Sequence, residues 1–260
     1  MNCMVAYKEF EIAYTVSGEG PPLILVPGVT MSAERWVEAG YVDALAPSRR
    51  VVAVDPLGHG RSSKTAAIEA YAPERLTAHL LAVLDDAGVE SADFWGYSRG
   101  ALMAGQLANS HPHRVQRLVA GGIPLFDTQP IMEELGMMPE WATVEERHQR
   151  CLDGDWSAYW DGFPLPLPDS VKADIASRND LGSISACATA GRLDPMVWQP
   201  PATVETLAYW GRGEIFHAMN VEAAADQPIR TALVDGGHAE AFSPAEPVVA
   251  EVHPFLSPNS

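Results

Sequence analysis

Short apolar runs recur along the chain, and between them lie segments whose apolar residues return every three or four positions. The strand-like runs sit in PPLILVPG (residues 21–28), RRVVAVDPLGHG (49–60), ADFWGYS (92–98), VQRLVAGGIP (115–124), TLAYWGRGE (206–214) and IRTALVDGGH (229–238). Strands with so few polar interruptions predict a parallel sheet covered by helices on both faces. The helices are at hand. APERLTAHLLAVLDDAG (72–88) carries Leu76, Leu80, Leu81 and Leu84 at helical spacing, and GALMAGQLANS (100–110) directly follows a strand. The opening KEFEIAYTVSG (8–18) instead alternates apolar and polar residues, which predicts an antiparallel edge strand.

This rhythm breaks between about Ile123 and Thr206. The intervening stretch is rich in Pro, Met and Trp and holds helical fragments such as TVEERHQRCLDGDW (143–156) and DSVKADIASRND (169–180). A structureless loop of that length is implausible inside a compact domain. The pattern therefore predicts an α/β core from residues 1–123 and 206–260, with a helical insertion over 124–205. A chain of 260 residues is long enough to bury a full core of that kind.

Composition narrows the partners. Seventeen Lys and Arg against 34 Asp and Glu give a formal net charge of −17. Phosphate backbones and anionic lipid repel such a chain, which argues against nucleic acid and membrane surfaces and leaves a small molecule as the expected partner. Cys3, Cys151 and Cys187 are odd in number, far apart and without a CxxC pair. They read as free thiols of a reducing compartment. The first twenty residues lack a basic segment leading into a long apolar one, and no apolar run approaches the ~20 residues of a membrane span. A cytoplasmic location is the expectation.

In open parallel sheets ligands gather at the carboxyl ends of the strands. Ser98 follows the third run, Glu214 the fifth and His238 the sixth. That order, serine then acid then histidine, is the one expected when a sharp strand-to-helix turn carries a nucleophilic serine. In GYSRG (96–100) the flanking glycines acquire a mechanical reason, because side chains at Gly96 and Gly100 would collide with backbone. Helix N–H groups behind Ser98 favour developing negative charge. Asp127 is a rival acid, as it follows the preceding strand. Of the other histidines, His79 and His253 fall in helical patterns, His111 and His113 end a helix, His148 lies in the insertion, and His217 begins a helix. The His111–His113 pair has no further Cys, His or Asp cluster near it in sequence, so no metal is expected.

With these residues in place the chain resembles the α/β-hydrolase fold family over nearly its whole length. Besides GYSRG, LILVPGVTMSAERW (23–36) is similar to the family's strand and His-Gly loop with a downstream Trp. DPLGHGRSS (55–63) looks like its Asp-x-x-Gly-His-Gly-x-Ser segment, where His59 is a structural turn residue and Asp55 fixes the loop. YWGRGE (209–214) and VDGGHAEAFSPAEPV (234–248) look like the acid and histidine loops. The resemblance implies a mostly parallel, doubly wound sheet with a small helical cap. It also implies a Ser98 nucleophile, His238 as base, Glu214 as the orienting acid, and an oxyanion hole from the N–H groups of Val29 and Arg99.

Three departures stand out. Pro27 takes the place of the family's usual His, the acid is Glu rather than Asp, and Arg99 sets a charge beside the nucleophile as an ion-pair partner or a contact for substrate oxygen. The insertion's aromatics Trp141, Trp156, Tyr159, Trp160, Phe163 and Trp198 read mostly as cap core, with Trp141, Tyr159 and Trp160 as candidates to line an apolar pocket. The expected activity is cofactor-free hydrolysis of an ester, lactone or thioester of a modest apolar acyl group. The fold's C–C hydrolases, perhydrolases or haloperoxidases, lyases or cyclases, and non-catalytic binding proteins are the alternatives.

Overall fold

A computed structural model describes residues 1–134, 141–161, 167–194 and 196–257. Its centre is one eight-stranded sheet. The strands are β1 (Asn2–Tyr7), β2 (Phe10–Ser17), β3 (Pro22–Val26), β4 (Arg50–Val54), β5 (Ala92–Tyr97), β6 (Val115–Gly121), β7 (Glu205–Gly211) and β8 (Arg230–Val234). Their order is β1-β2-β4-β3-β5-β6-β7-β8. β1 and β2 pair antiparallel, β2 runs antiparallel to β4, and every pair from β4 to β8 is parallel. The six strands read from apolar runs are all present. The N-terminal pattern is corrected in one respect: β2 is an inner strand, and β1 holds the edge. β1 has no fully buried position, and its NCMVAY, although mostly apolar, lacks the alternation that marks β2.

The period-two geometry of strands splits the apolar residues between two faces. Ile24, Val26, Val52, Val54 and Phe94 join a core beneath α3 (Pro73–Asp86) and α4 (Arg99–Ser110). Leu23, Leu25, Val51, Ala53 and Trp95 join a second core beneath α1 (Ala33–Glu38), α2 (Tyr41–Leu45) and α11 (Ala245–Leu256). Burying each such aliphatic side chain stabilises the fold by about 1.5–3 kcal/mol relative to exposure. From β3 the chain moves outward to β4, then crosses to β5 on the other side of β3. The loops after β3 and β5 therefore flank the switch point of the sheet, where a crevice forms.

Between β6 and β7 lie α5 (Gln129–Glu134), α6 (Trp141–Leu152), α7 (Trp156–Trp160), α8 (Asp169–Arg178) and α9 (Leu181–Leu193). The carboxylates of Asp155 and Asp180 accept from Ser157 N–H and Ser183 N–H and so set the starts of α7 and α9. Cys151, Ala158, Tyr159, Leu181 and Ile184 form a small apolar cluster of their own. Ala186, Cys187 and Ala190, on the other side of α9, belong to the core under α3 and α4. α9 thus joins these helices to the sheet. After β7, α10 (His217–Ala225) leads to β8. Among the described residues no helix is long and apolar enough to cross a membrane.

Candidate active site

Ser98 stands between β5 and α4 with φ 51° and ψ −123°, a left-handed conformation that a non-glycine residue holds only under strain. Its neighbours show why the turn needs glycines. A Cβ on Gly96 would come within 2.4 Å of Ala101 Cα, and one on Gly100 within 2.1 Å of the Val26 carbonyl oxygen. The Ser98 N–H donates to the Gly121 carbonyl at 2.7 Å, which ties the turn to β6. A Cβ on Gly28 would stand 3.2 Å from Ser98 Cβ, so the loop after β3 passes directly beside the serine. The Arg99 N–H opens α4 and has no acceptor within the helix, as for every first-turn amide.

The loop carrying Gly28 and Val29 is braced from below. Thr30, itself at φ 66°, donates its N–H to His59 Nε2 at 3.2 Å, and His59 Nδ1–H donates to the Leu57 carbonyl at 2.9 Å. The Thr30 contact makes Nε2 an acceptor and assigns the proton to Nδ1. Burial pushes the His59 pKa down to about 4, which keeps the ring neutral in that role. Asp55 accepts from Ala33 N–H at 2.7 Å and Arg61 N–H at 3.1 Å. Both residues therefore act as scaffolding for the loop beside Ser98.

At the far side of β6, two loops bring the other candidates together. Glu214 accepts from Gly211 N–H through Oε1 at 3.2 Å and places Oε2 3.6 Å from His238 Nδ1. The glutamate side chain is 7% exposed and the histidine 51%, so the carboxylate is anchored and the ring reaches into open space. Backbone bonds from Arg212 N–H to Val234 and from Gly213 N–H to Gly236 staple the loops to one another. They lie so close that a Cβ on Gly211 would meet the Gly236 carbonyl oxygen at 2.2 Å. Tyr97, one residue before the serine, donates its hydroxyl to the His238 carbonyl and lies 5.2 Å from the imidazole, centre to centre. That tie between the two loops had no signal in the sequence, because Tyr97 reads there as one more apolar strand residue.

A family model described as the alpha/beta hydrolase fold matches residues 21–238. The chain belongs to the α/β-hydrolase fold family. This α/β hydrolase is similar to a 2-hydroxymuconate semialdehyde hydrolase of Pseudomonas putida, 36% identical over 218 residues, 74% of this chain and 76% of that protein. It is also similar to epoxide hydrolase A of Mycobacterium tuberculosis, 38% identical over 111 residues, 40% of this chain and 32% of that protein. The chain spans about half the length of two further curated relatives. A crystal structure of a hydrolase from Pseudomonas aeruginosa PA01 superposes with a TM-score of 0.74 at 22% identity, covering 98% of this chain and 97% of that one. The named relatives carry different activities in their names, so the shared fold does not by itself name this chain's reaction.

Asp127 is exposed, and the carboxylate beside His238 is that of Glu214. His217 Nδ1 accepts from the Trp210 indole at 3.0 Å, while His148 is buried between Ser185 and the Ala66 carbonyl. Tyr159 and Trp160 pack in the small cluster between α7 and α9, with Trp160 stacked on Trp156 at 5.4 Å. The side chain of Trp141 and the whole of Phe163 lie outside the described residues. Among the described residues no group of three or more His, Cys, Asp or Glu is placed to hold a metal ion. Arg99, expected either in an ion pair or toward substrate, makes no ion pair among the described residues.

Proposed function

We propose that this α/β hydrolase is a serine hydrolase that cleaves a carboxylic ester, or a related lactone or thioester, through a Ser98 acyl-enzyme. One observation carries the reading: a strained serine at a strand-to-helix turn in the same chain as a histidine whose Nδ1 faces a buried glutamate. Ser98 Oγ attacks the carbonyl carbon while His238 Nε2 takes its proton, and Glu214 stabilises the imidazolium across Nδ1. The N–H groups of Val29 and Arg99 receive the oxyanion. The alcohol leaves with the proton from His238, and water then attacks the acyl-enzyme by the reverse route. The 3.6 Å between His238 and Glu214 is an ion-pair distance, and such contacts tighten when substrate closes the site. The described helices between β6 and β7 are read as its cap, which the position of Cys187 of α9 beside Val29 and Arg99 supports. Free Cys3, Cys151 and Cys187 fit a cytoplasmic setting.

The likeness to a 2-hydroxymuconate semialdehyde hydrolase favours a second reading, in which the same serine attacks a ketone and carbon is the leaving group. Purified protein offered p-nitrophenyl butyrate and a 1,5-diketone separates the two by product analysis. Ser98→Ala should abolish turnover of either substrate and prevent labelling by a fluorophosphonate probe. Undiminished labelling of that variant would remove Ser98 from the mechanism.

A further inference from the structure

The side chain of Arg99 is the feature that acyl transfer leaves unused. Arg35, Arg49, Arg61, Arg75 and Arg114 each pair with a carboxylate, as expected where acids outnumber bases two to one. Arg99 makes no ion pair and no hydrogen bond among the described residues, and its Nε is buried without an acceptor. Nor does local structure favour a cation there. Arg99 is the first residue of α4, where the helix dipole opposes positive charge, and no acidic residue sits in that first turn to offset it.

The guanidinium packs between α9 and the loop after β3. A Cβ on Gly191 would lie 2.3 Å from Arg99 Nη1, so the group rests against the backbone of α9 at a point kept open by a glycine. It lines a cavity of about 10 Å³, space for a single water, together with Gly28, Val29, Leu57, His59 and Cys187, so a carboxylate reaches it only as these walls part. Ser98 is not among the residues lining it, but Gly28 is, and a Cβ on Gly28 would stand 3.2 Å from Ser98 Cβ, so the cavity adjoins the turn that carries the serine. No resident anion occupies its walls. His59 is a neutral ring with both nitrogens bonded, and burial pushes the Cys187 thiol upward, toward its neutral form.

We infer that Arg99 is a specificity-determining residue whose guanidinium binds a carboxylate on the acyl half of the substrate, a few bonds from the carbonyl that Ser98 attacks. This rests on the proposed serine chemistry for the placement of that carbonyl. A planar guanidinium meets a carboxylate through two parallel N–H···O bonds. The rest of the wall is neutral and largely apolar, which suits a singly charged carboxylate and leaves a phosphate dianion short of donors. The substrates of this class are half-esters of dicarboxylic acids or keto acids with a cleavable bond next to the carbonyl.

The test compares kcat/KM for mono-p-nitrophenyl glutarate with that for neutral p-nitrophenyl butyrate, corrected for spontaneous hydrolysis. Wild type should prefer the acidic ester at least tenfold. Arg99→Met should collapse that ratio to near one, and Arg99→Lys should restore part of it. In parallel, calorimetric titration of monomethyl glutarate into Ser98→Ala reads binding without turnover, and the Ser98→Ala/Arg99→Met double variant should lose that binding. Gly191→Ala, which displaces Nη1 without removing the charge, should weaken it several-fold and guards against misfolding of the arginine variants. Ester turnover with equal rates for both substrates in wild type would overturn the carboxylate site and leave the serine chemistry standing. Arg99-dependent carboxylate binding with neither ester nor diketone turnover would overturn the chemistry and keep the site. Monomethyl glutarate binding that survives the double variant defeats the inference outright.

Discussion

Gly100→Ala is the sharpest single perturbation of the elbow. The added methyl carbon would stand 2.1 Å from the Val26 carbonyl oxygen and 2.5 Å from that of Pro27, where real side-chain carbons stay beyond 3.0 Å. Both obstacles are backbone atoms at the end of β3, so no side chain can rotate away. The start of α4 and the loop beside Ser98 must part by about 1 Å, and overpacking of this kind costs about 1–3 kcal/mol. At roughly 2–4 °C per kcal/mol for a domain of this size, Tm should fall by several degrees. Activity should suffer more, because the movement separates the Arg99 and Val29 amides proposed to receive the oxyanion. A misplacement of about 1 Å costs on the order of 10²-fold in rate. Differential scanning fluorimetry and kcat/KM for p-nitrophenyl butyrate read the two effects. Gly182→Ala is the control: its new methyl meets only ordinary contacts of 3.5 Å or more, and in a helix alanine is favoured. Wild-type Tm and turnover in Gly100→Ala would show that the close approach of α4 to β3 does not hold the elbow.

Glu214→Gln should lower kcat by about 10³ or more, as removal of the orienting carboxylate does in related triads, and Asp127→Asn by less than tenfold. The reverse ranking would move the acid to Asp127. Burial holds His79 at about 4, well below its ordinary 6.5, so between those values the unfolded chain binds a proton that the folded chain refuses. Stability therefore falls as pH is lowered from 6.5 toward 4, by up to about 3 kcal/mol from this residue. His79 packs edge-on against Tyr7 and Phe10 and its Nδ1 has no hydrogen-bond partner, so His79→Phe should flatten the Tm–pH slope in that window. An unchanged slope would assign the acid sensitivity to other groups.

What the sequence determined by itself was whatever local pattern can encode. The six apolar runs announced β3 through β8, because strands covered by helices keep most of their residues apolar, and β8 at the edge is the least buried of them. The glycines at 96 and 100 announced the turn around Ser98, because only a residue without Cβ fits where backbones nearly touch. That Ser98, Glu214 and His238 each follow a strand of their own was legible for the same reason. Contacts between distant segments were not legible. β1 owes its place at the edge to pairing with β2, and its apolar residues do not alternate with polar ones. The Tyr97 hydroxyl finds the His238 carbonyl across 141 positions of chain. The neutral His59 ring supports Thr30 only because two loops fold against one another. That Arg99 lies out of reach of a carboxylate was decided by packing alone, since charge counts say how many carboxylates exist and only the folded backbone says which of them a guanidinium can reach.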